Sequence, residues 1–381
     1  RDAGDLRAAA AMYAQALADR PGFVEAMLAR AGAALDLGDL AAAREGYEQV
    51  LAATGESADA RYGLGQVALR ERRYAEGWAG YAWRFATHPA QSVARDVALP
   101  ALDAARLGSA RRVFVWGEQG LGDQVLFATL LPELASRGIE MVLDVDSRLA
   151  PLLARRLRGA RGASGDRAWE GCDAQVPLGS LGALFRPDAA SFARQPRALL
   201  AADAARAAQV ASALPSTGER IGISWRSFRD RGRGALAGRK SAPLECFAAL
   251  GGEGAVLVDL QYGDVSEERA RFSARYPGLL ARVPGLDPVA DLEGLLAAIE
   301  ACDRVVTTSN VTAHLAGALG KQTLLVFPGG NPPFAYWIFD GDGRTPWYPS
   351  VRVVSGPELD TWKKVLERAA ELAGREGPAA G

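Results

Sequence analysis

Three clusters of residues in this chain have types and spacings that could handle a phosphorylated ligand. The first is Gly117-Glu118-Gln119-Gly120-Leu121-Gly122-Asp123, directly after the apolar run Val113-Phe114-Val115-Trp116. Glycines at 117, 120 and 122 let a backbone turn sharply from a strand into a helix and approach a ligand closely. The order of the glycines is not the dinucleotide fingerprint, and no Walker lysine follows. What remains is a turn that presents Asp123 at a helix start, where it could equally serve only as a helix cap. The second cluster is Ser309-Asn310-Val311-Thr312-Ala313-His314, between a buried strand and an apolar helix. Free amides at that helix start, with the hydroxyls of Ser309 and Thr312, would hold a diphosphate. Capping by Ser309 or Asn310, and a core position for His314, are the plain alternatives. The third is Trp225-Arg226, with Arg229-Asp230-Arg231-Gly232-Arg233-Gly234 and Arg239-Lys240. Arg226 leaves the carboxyl end of a strand, a good place to clamp phosphate. The glycine-broken arginines read as a mobile loop, with Arg226 and Lys240 set apart from it. Gln261-Tyr262-Gly263, at another strand end, could meet a nucleobase through backbone groups.

The elements that must position these residues alternate as β and α, which implies parallel sheets. A strand at Val113–Trp116 leads to a helix from about Gln124 to Ser136, a strand at Ile139–Val145 and a helix at Leu149–Leu157. Ala174–Pro177 is a further short strand, and Ala202–Leu214 a helix before the hinge-like Pro215-Ser216-Thr217-Gly218. The rhythm restarts with strands at Ile221–Trp225 and Ala255–Leu260, helices at Leu244–Leu250 and Asp291–Ala301, and a strand at Arg304–Thr307. Val311–Leu319, Thr323–Phe327 and Leu359–Ala373 complete it as helix, strand and amphipathic helix. Two Rossmann-like halves facing a cleft make the architecture called GT-B, an α/β fold. Ligands should collect at the carboxyl ends of its strands.

A different pattern precedes them. Gly4-Asp5-Leu6 recurs as Gly38-Asp39-Leu40, and Ala9, Tyr13 and Ala16 as Ala43, Tyr47 and Val50, at a period of 34 residues. A weaker third copy places Arg72-Arg73-Tyr74, Gly77 and Tyr81 in register. This is the tetratricopeptide signature. Small residues admit a neighbouring helix and the tyrosines fill the groove one turn on. Such arrays mostly bind peptides or proteins, although packing on the next domain or self-association would also use these helices. The domains expected are therefore 1–90 repeats, 91–110 linker, 111–214 first Rossmann-like half, 215–356 second half, 357–373 closing helix and 374–381 disordered tail.

Composition narrows the class. The 381 residues suffice for two or three domains, and a net charge of −1 argues against nucleic acid. Cys172, Cys246 and Cys302 form no CxxC pair, which fits a reducing cytoplasm better than a disulfide framework, and cations that are nearly all Arg, with much Ala, read as the codon bias of a GC-rich bacterial genome. His88 and His314 are the only histidines, so no His-rich metal site is expected. No apolar run reaches the length of a membrane span. Arg1-Asp2-Ala3-Gly4 reads as the middle of a helical repeat and not as a signal peptide, which suggests a piece of a longer protein.

With these motifs in order, the stretch 113–353 resembles the heptosyltransferase-like GT-B glycosyltransferases. The tandem with helical repeats looks like bacterial protein glycosyltransferases, including those that modify flagellin. It is similar in plan to the O-linked N-acetylglucosamine transferases. The matching pieces are the glycine turn 117–123, Gly222-Ile223-Ser224-Trp225-Arg226, Leu260-Gln261-Tyr262-Gly263, Ser309–Lys321 and Pro346-Trp347-Tyr348-Pro349. The resemblance implies Asp123 as general base, with Glu118, Gln119, Gly120 and Gly122 lining the acceptor side. It implies Arg226 and Lys240 on phosphate, Gln261 and Tyr262 near the base, and Ser309, Asn310, Thr312, Ala313 and His314 around the diphosphate. Where heptosyltransferases carry an Asp before that helix, this chain has Ser309 and Asn310. The expected activity is inverting, metal-independent transfer from a nucleotide sugar, without cofactor, to a protein hydroxyl recruited by the repeats, flagellin being one acceptor of that kind. A hexosyl or heptosyl donor fits. The alternatives are a lipopolysaccharide-type glycan transferase and a catalytically silent nucleotide-sugar adaptor; homo-oligomer formation stays open.

Overall fold

A computed structural model describes residues 3–88, 92–228, 240–252 and 254–375. The arginine-rich run 229–239 and the last six residues of the expected tail lie outside the described residues. Five helices open the chain: α1 (Ala3–Asp19), α2 (Val24–Leu37), α3 (Leu40–Thr54), α4 (Ala58–Arg70) and α5 (Tyr74–Tyr81). The repeated Gly-Asp-Leu has a local cause. Gly38 ends α2 in the left-handed conformation, φ 85°, and the Asp39 carboxylate then caps α3 by accepting from the Ala42 amide at 3.0 Å. Arg72, one period on, keeps the left-handed turn at φ 61° without being glycine. The small–aromatic spacing also packs as expected. A Cβ on Gly63 of α4 would fall 2.3 Å from the Tyr47 ring, and one on Gly46 would fall 2.8 Å from Ala31.

Met27, Ala31, Ala43, Tyr47, Val50 and Val67 form a core of their own. Leu69, Tyr74, Trp78 and Tyr81 instead join the core of the α/β region. Trp78 lies over Gly182 and donates its indole N–H to the Arg186 carbonyl at 2.7 Å. The third hairpin is thus packed on both sides, array and α/β module. The following segment, with the single turn α6 (Ala104–Leu107), exchanges hydrogen bonds with Gln175 from Pro100 and Leu102, at 2.9 and 2.8 Å.

The first α/β unit holds β1 (Arg112–Trp116), β2 (Glu140–Asp144), β3 (Ala160–Gly162) and β4 (Ala174–Pro177), all parallel, in the order β3-β2-β1-β4. The expected helix after β1 begins earlier and splits into α7 (Leu121–Ala128) and α8 (Leu131–Ala135). Pro132 cannot donate to the carbonyl of Ala128, so the first helix ends there. α9 (Ala150–Arg156) and α10 (Leu181–Phe185) follow, then α11 (Ala204–Ala213), which packs on the second unit and pairs Arg206 with Asp291.

The second unit is a six-stranded parallel sheet, β10-β9-β8-β5-β6-β7. Its strands are β5 (Arg220–Ser224), β6 (Val256–Asp259), β7 (Leu280–Ala281), β8 (Arg304–Thr307), β9 (Thr323–Val326) and β10 (Val351–Val354). Its helices are α12 (Ser266–Arg275), α13 (Leu292–Glu300), α14 (Val311–Leu319) and α15 (Trp362–Arg375). Leu244–Leu250 is helical as expected, wound as a 3-10 helix. Read from the β7 edge, the order is that of a dinucleotide-binding sheet, and the first unit repeats its opening four strands. Every residue of β8 and β9 is buried, as helices on both faces of a parallel sheet require. α15 closes this unit by burying Val365, Leu366 and Ala369 beside Phe247 and Leu250.

Candidate active site

In doubly wound sheets ligands bind where the chain leaves a central strand for opposite sides. In the second unit this point lies between β5 and β8, whose last residues Ser224 and Thr307 are paired. The loops leaving there are Trp225–Ser227 and Thr308–Asn310, so strand order alone brings the second and third sequence clusters together. In the first unit the corresponding exit follows β1 and is the glycine turn. α7 and α14, which start at these exits, pack against each other: a Cβ on Gly122 would come within 2.8 Å of the His314 imidazole.

Gly120, not Asp123, holds the cap position of α7. Asp123 is half-buried in the first turn, and its Oδ1 accepts a hydrogen bond from the Tyr336 hydroxyl at 3.2 Å. Tyr336 and Tyr348 from the second unit and Tyr81 from α5 lie in the field of this carboxylate. Burial first, and the Asp123 charge among the further causes, hold their phenols well above the ordinary value, so all three stay protonated near neutral pH. The rest of the turn faces inward. Glu118 is buried, accepts from Arg84 Nη2 at 3.0 Å and from the Gly179 amide at 3.0 Å. Burial raises its carboxyl pKa, with Arg84 pulling the other way. Gln119 donates to the Tyr81 hydroxyl at 2.7 Å and to Ser92 at 3.1 Å.

In the second unit, Asn310 caps α14 by accepting from the Thr312 amide at 2.9 Å, and it donates to Ser224 Oγ at 2.9 Å. Ser309 accepts from the Trp337 indole at 2.9 Å. The Thr312 hydroxyl is buried with no partner. Ala313 is fully buried behind it. His314 stacks on Trp337 at 4.8 Å and meets the Tyr348 hydroxyl at 3.2 Å. Burial, helped by Lys240, lowers its pKa to about 3. It is therefore a neutral ring at ordinary pH.

The Arg226 guanidinium pairs with Glu268 of α12, and its Nε is buried without a partner. Burial alone would raise the Glu268 pKa, but hydrogen bonds from Arg226 and Trp225 bring it below the usual value. Lys240 is buried with its ammonium 4.8 Å from the Phe334 ring centre. The Gln261 side chain is spent on structure: its oxygen accepts from Ser224 Oγ and from the amides of Trp225 and Arg226. Beside it, Tyr262 meets Phe228 edge to face, and Gly263 turns at φ 79°. A cavity of about 310 Å³ opens there, at the carboxyl ends of β6 and β7, lined by Gln261, Gly263, Arg282, Leu286, Asp287 and Pro288. Among the described residues no three His, Cys, Asp or Glu side chains are grouped to hold a metal ion, and no helix is long and apolar enough to cross a membrane.

Sequence reading missed Arg84, Tyr336 and Trp337. Arg84 carried a signal: the position that repeats as Ala16 and Val50 becomes Arg in the third copy. Val50 is wholly buried among apolar side chains, whereas Arg84 is as deeply buried on an ion pair.

The tetratricopeptide repeat family model matches residues 1–47 and 33–79. Protein FlbA of Caulobacter vibrioides is 30% identical over 393 residues; the alignment takes in 96% of this chain but only 64% of that protein, so the chain spans less than two thirds of its relative. Among solved structures, the chain is similar to E. coli ADP-heptose lipopolysaccharide heptosyltransferase II, with TM-score 0.48 and 17% identity over 70% of this chain and 99% of that one. It is also similar to a glycosyl transferase family 9 protein of Veillonella parvula, with TM-score 0.49 and 12% identity over 70% and 96%. A Thermobaculum terrenum O-GlcNAc transferase aligns over 97% of this chain and 86% of its own, at TM-score 0.27 and 14% identity. The repeats and the two sheets together make this chain a tetratricopeptide-repeat array joined to an α/β module of GT-B architecture.

Proposed function

We propose that the protein is a glycosyltransferase that moves a sugar from a nucleotide-sugar donor to a serine or threonine hydroxyl of a protein held by the repeats. The observation that carries this reading is the juxtaposition of α7 and α14. A half-buried carboxylate, Asp123, lies in the first turn of one helix, and an unpartnered buried hydroxyl, Thr312, lies in the first turn of the other. The nucleobase occupies the cavity beside Gln261 and Gly263, and the diphosphate lies against the first turn of α14, where helix amides favour negative charge. Asp123 takes the proton of the acceptor hydroxyl. The oxygen attacks the anomeric carbon opposite the departing nucleoside diphosphate, the bond to the phosphate oxygen breaks, and configuration inverts. Arg226, Lys240 and the α14 amides stabilise the charge that leaves, so no metal is needed.

The acceptor segment lies in the groove of about 420 Å³ between α1, α2 and α3, lined by Ala10, Arg30, Ala34, Leu37, Asp39 and Glu45. The three free thiols suit a bacterial cytoplasm, which cell fractionation checks. The test is a thermal-shift screen against ADP-, UDP- and GDP-sugars, followed by transfer from the best donor to flagellin and other surface proteins, with and without EDTA. Donor binding and EDTA-resistant labelling of a protein hydroxyl support the reading. Donor binding with no turnover would make the chain an adaptor, and labelling of a lipid-linked glycan alone would make it a glycan transferase.

A further inference from the structure

The segment 331–337 runs between three parts of the molecule. At one end the Asn331 amide donates to the Asp36 carbonyl at the close of α2, and its oxygen accepts from Arg70 Nη1 of α4 at 3.1 Å. Arg70 also donates to the Leu35 carbonyl at 2.8 Å. Gly38 lies so near that a Cβ there would meet the Asn331 side chain at 3.0 Å. In the middle, Phe334 stacks on Tyr336 at 5.0 Å and 16°, and carries the Lys240 ammonium on its face. At the other end Tyr336 donates to Asp123, while Trp337 stacks on His314 and donates to Ser309. One short stretch of the second unit therefore touches the repeat array, the donor-side cation and the candidate base.

We infer that Tyr336 is a positioning residue for Asp123, and that segment 331–337 is a strap whose far end is pinned to the repeat array through Asn331. The Asp123–Tyr336 bond crosses from the first unit to the second, so it fixes the carboxylate relative to the donor side of the cleft. A phenol that donates to a carboxylate stabilises the charged form, which keeps Asp123 ionised and able to accept a proton. The groups around Asp123 are Tyr336 and Tyr348 of the second unit and Tyr81 of α5, with His314 of α14 against the neighbouring Gly122, Lys240 on the face of Phe334, and the Arg84–Glu118 pair at the start of the glycine turn. The three phenols titrate far above neutral pH, while His314 takes up its proton only near pH 3 and Glu118 loses its charge above the usual carboxylate value; both groups are common to wild type and variant, so the difference between their Asp123 midpoints reports the lost hydrogen bond. The strap also reaches the turn Leu35–Asp39, which borders the groove between α1, α2 and α3. The array is in this way part of the assembly that sets the base.

This inference rests on Asp123 being the base, but its test needs no substrate. The full chain, labelled with 13C at aspartate carboxyls, is titrated by NMR, and the Asp123 resonance is identified by its loss in Asp123→Asn. The midpoint should rise by about one pH unit in Tyr336→Phe, and should rise by a smaller amount in Asn331→Ala, with the melting temperature of each variant recorded. If Tyr336→Phe does not fold, Asn331→Ala at the far end of the strap carries the test alone. An unmoved midpoint in folded Tyr336→Phe overturns the positioning role. A shift in that variant with none in Asn331→Ala overturns the pinning to the array. Either failure is distinct from failure of the glycosyltransferase reading, which would appear as absent donor binding or turnover in the wild-type chain.

Discussion

Arg84 and Glu118 meet 3.0 Å apart with both side chains almost wholly shut from water, and the pair joins the last repeat hairpin to the glycine turn that carries Asp123. Two opposite charges can be buried like this only as partners, because each alone is costly in a poorly polarisable interior. Arg84→Met should therefore cost about 3–5 kcal/mol of stability by leaving Glu118 unpaired. Burial already raises the Glu118 pKa; without Arg84 it rises further. The folded state then takes up a proton at higher pH than the unfolded chain, so the deficit should shrink as pH falls toward the carboxylate range. Denaturant unfolding at two pH values checks this, and adding Glu118→Gln to Arg84→Met should recover most of the loss at neutral pH.

The packing of the third hairpin also sets where the array can be cut. A chain lacking residues 1–54 keeps Leu69, Trp78 and Tyr81 in the α/β core but loses the groove between α1, α2 and α3. It should stay soluble and bind donor with unchanged affinity, since Arg226, Gln261 and Thr312 all belong to the second unit, yet fail to label protein. A chain lacking 1–90 also loses those core side chains and should be poorly soluble. Size-exclusion profiles and donor titrations of the two truncations decide between these outcomes.

His314 offers a pH test. Its folded pKa is lowered from 6.5 to about 3 by burial and then by Lys240. As pH drops below the unfolded value, the unfolded chain takes up a proton that the folded protein refuses, so this group's share of stability is full above that value and is lost toward the folded one. His314→Gln removes the titration and can keep one hydrogen bond to Tyr348. The stability advantage of wild type over His314→Gln should be greatest near pH 7 and shrink steadily toward pH 4, read by urea unfolding; an advantage that does not change with pH would mean that His314 is not buried as a neutral ring.

Much of this was legible because some constraints are local. A strand that turns at once into a helix needs glycine, so Gly117–Asp123 marked itself. The Gly-Asp-Leu repeat marked the 34-residue period, and the fold supplies its cause, a left-handed turn followed by a cap. The parallel strands announced themselves as apolar runs because helices cover both their faces. What stayed hidden is set by partners far apart in the chain. Tyr336 lies in a stretch with no periodicity, and only the fold brings Asp123, Asp36 and His314 to its neighbourhood. α12 escaped notice because a single buried side chain, Phe272, leaves it no apolar stripe. β7 spans only Leu280–Ala281, too short for any pattern. Gln261 was expected near a base through its backbone, and its side chain proved to be the clip that holds the exits of β5 and β6 together.

Asp123 is the residue on which the proposed transfer turns. A carboxylate that merely helps hold the first turn of α7 to Tyr336 can be replaced by Asn, whose amide oxygen still accepts that hydrogen bond. A carboxylate that removes the acceptor proton cannot, because the amide has no useful basicity. Melting temperature, donor affinity and transfer rate should be measured on Asp123→Asn beside the wild type, with the donor and acceptor found in the screen. The expected variant melts within a few degrees of wild type, binds donor normally and transfers sugar about a hundredfold to ten-thousandfold more slowly. Transfer at a near-normal rate would contradict the account and remove Asp123 from the chemistry.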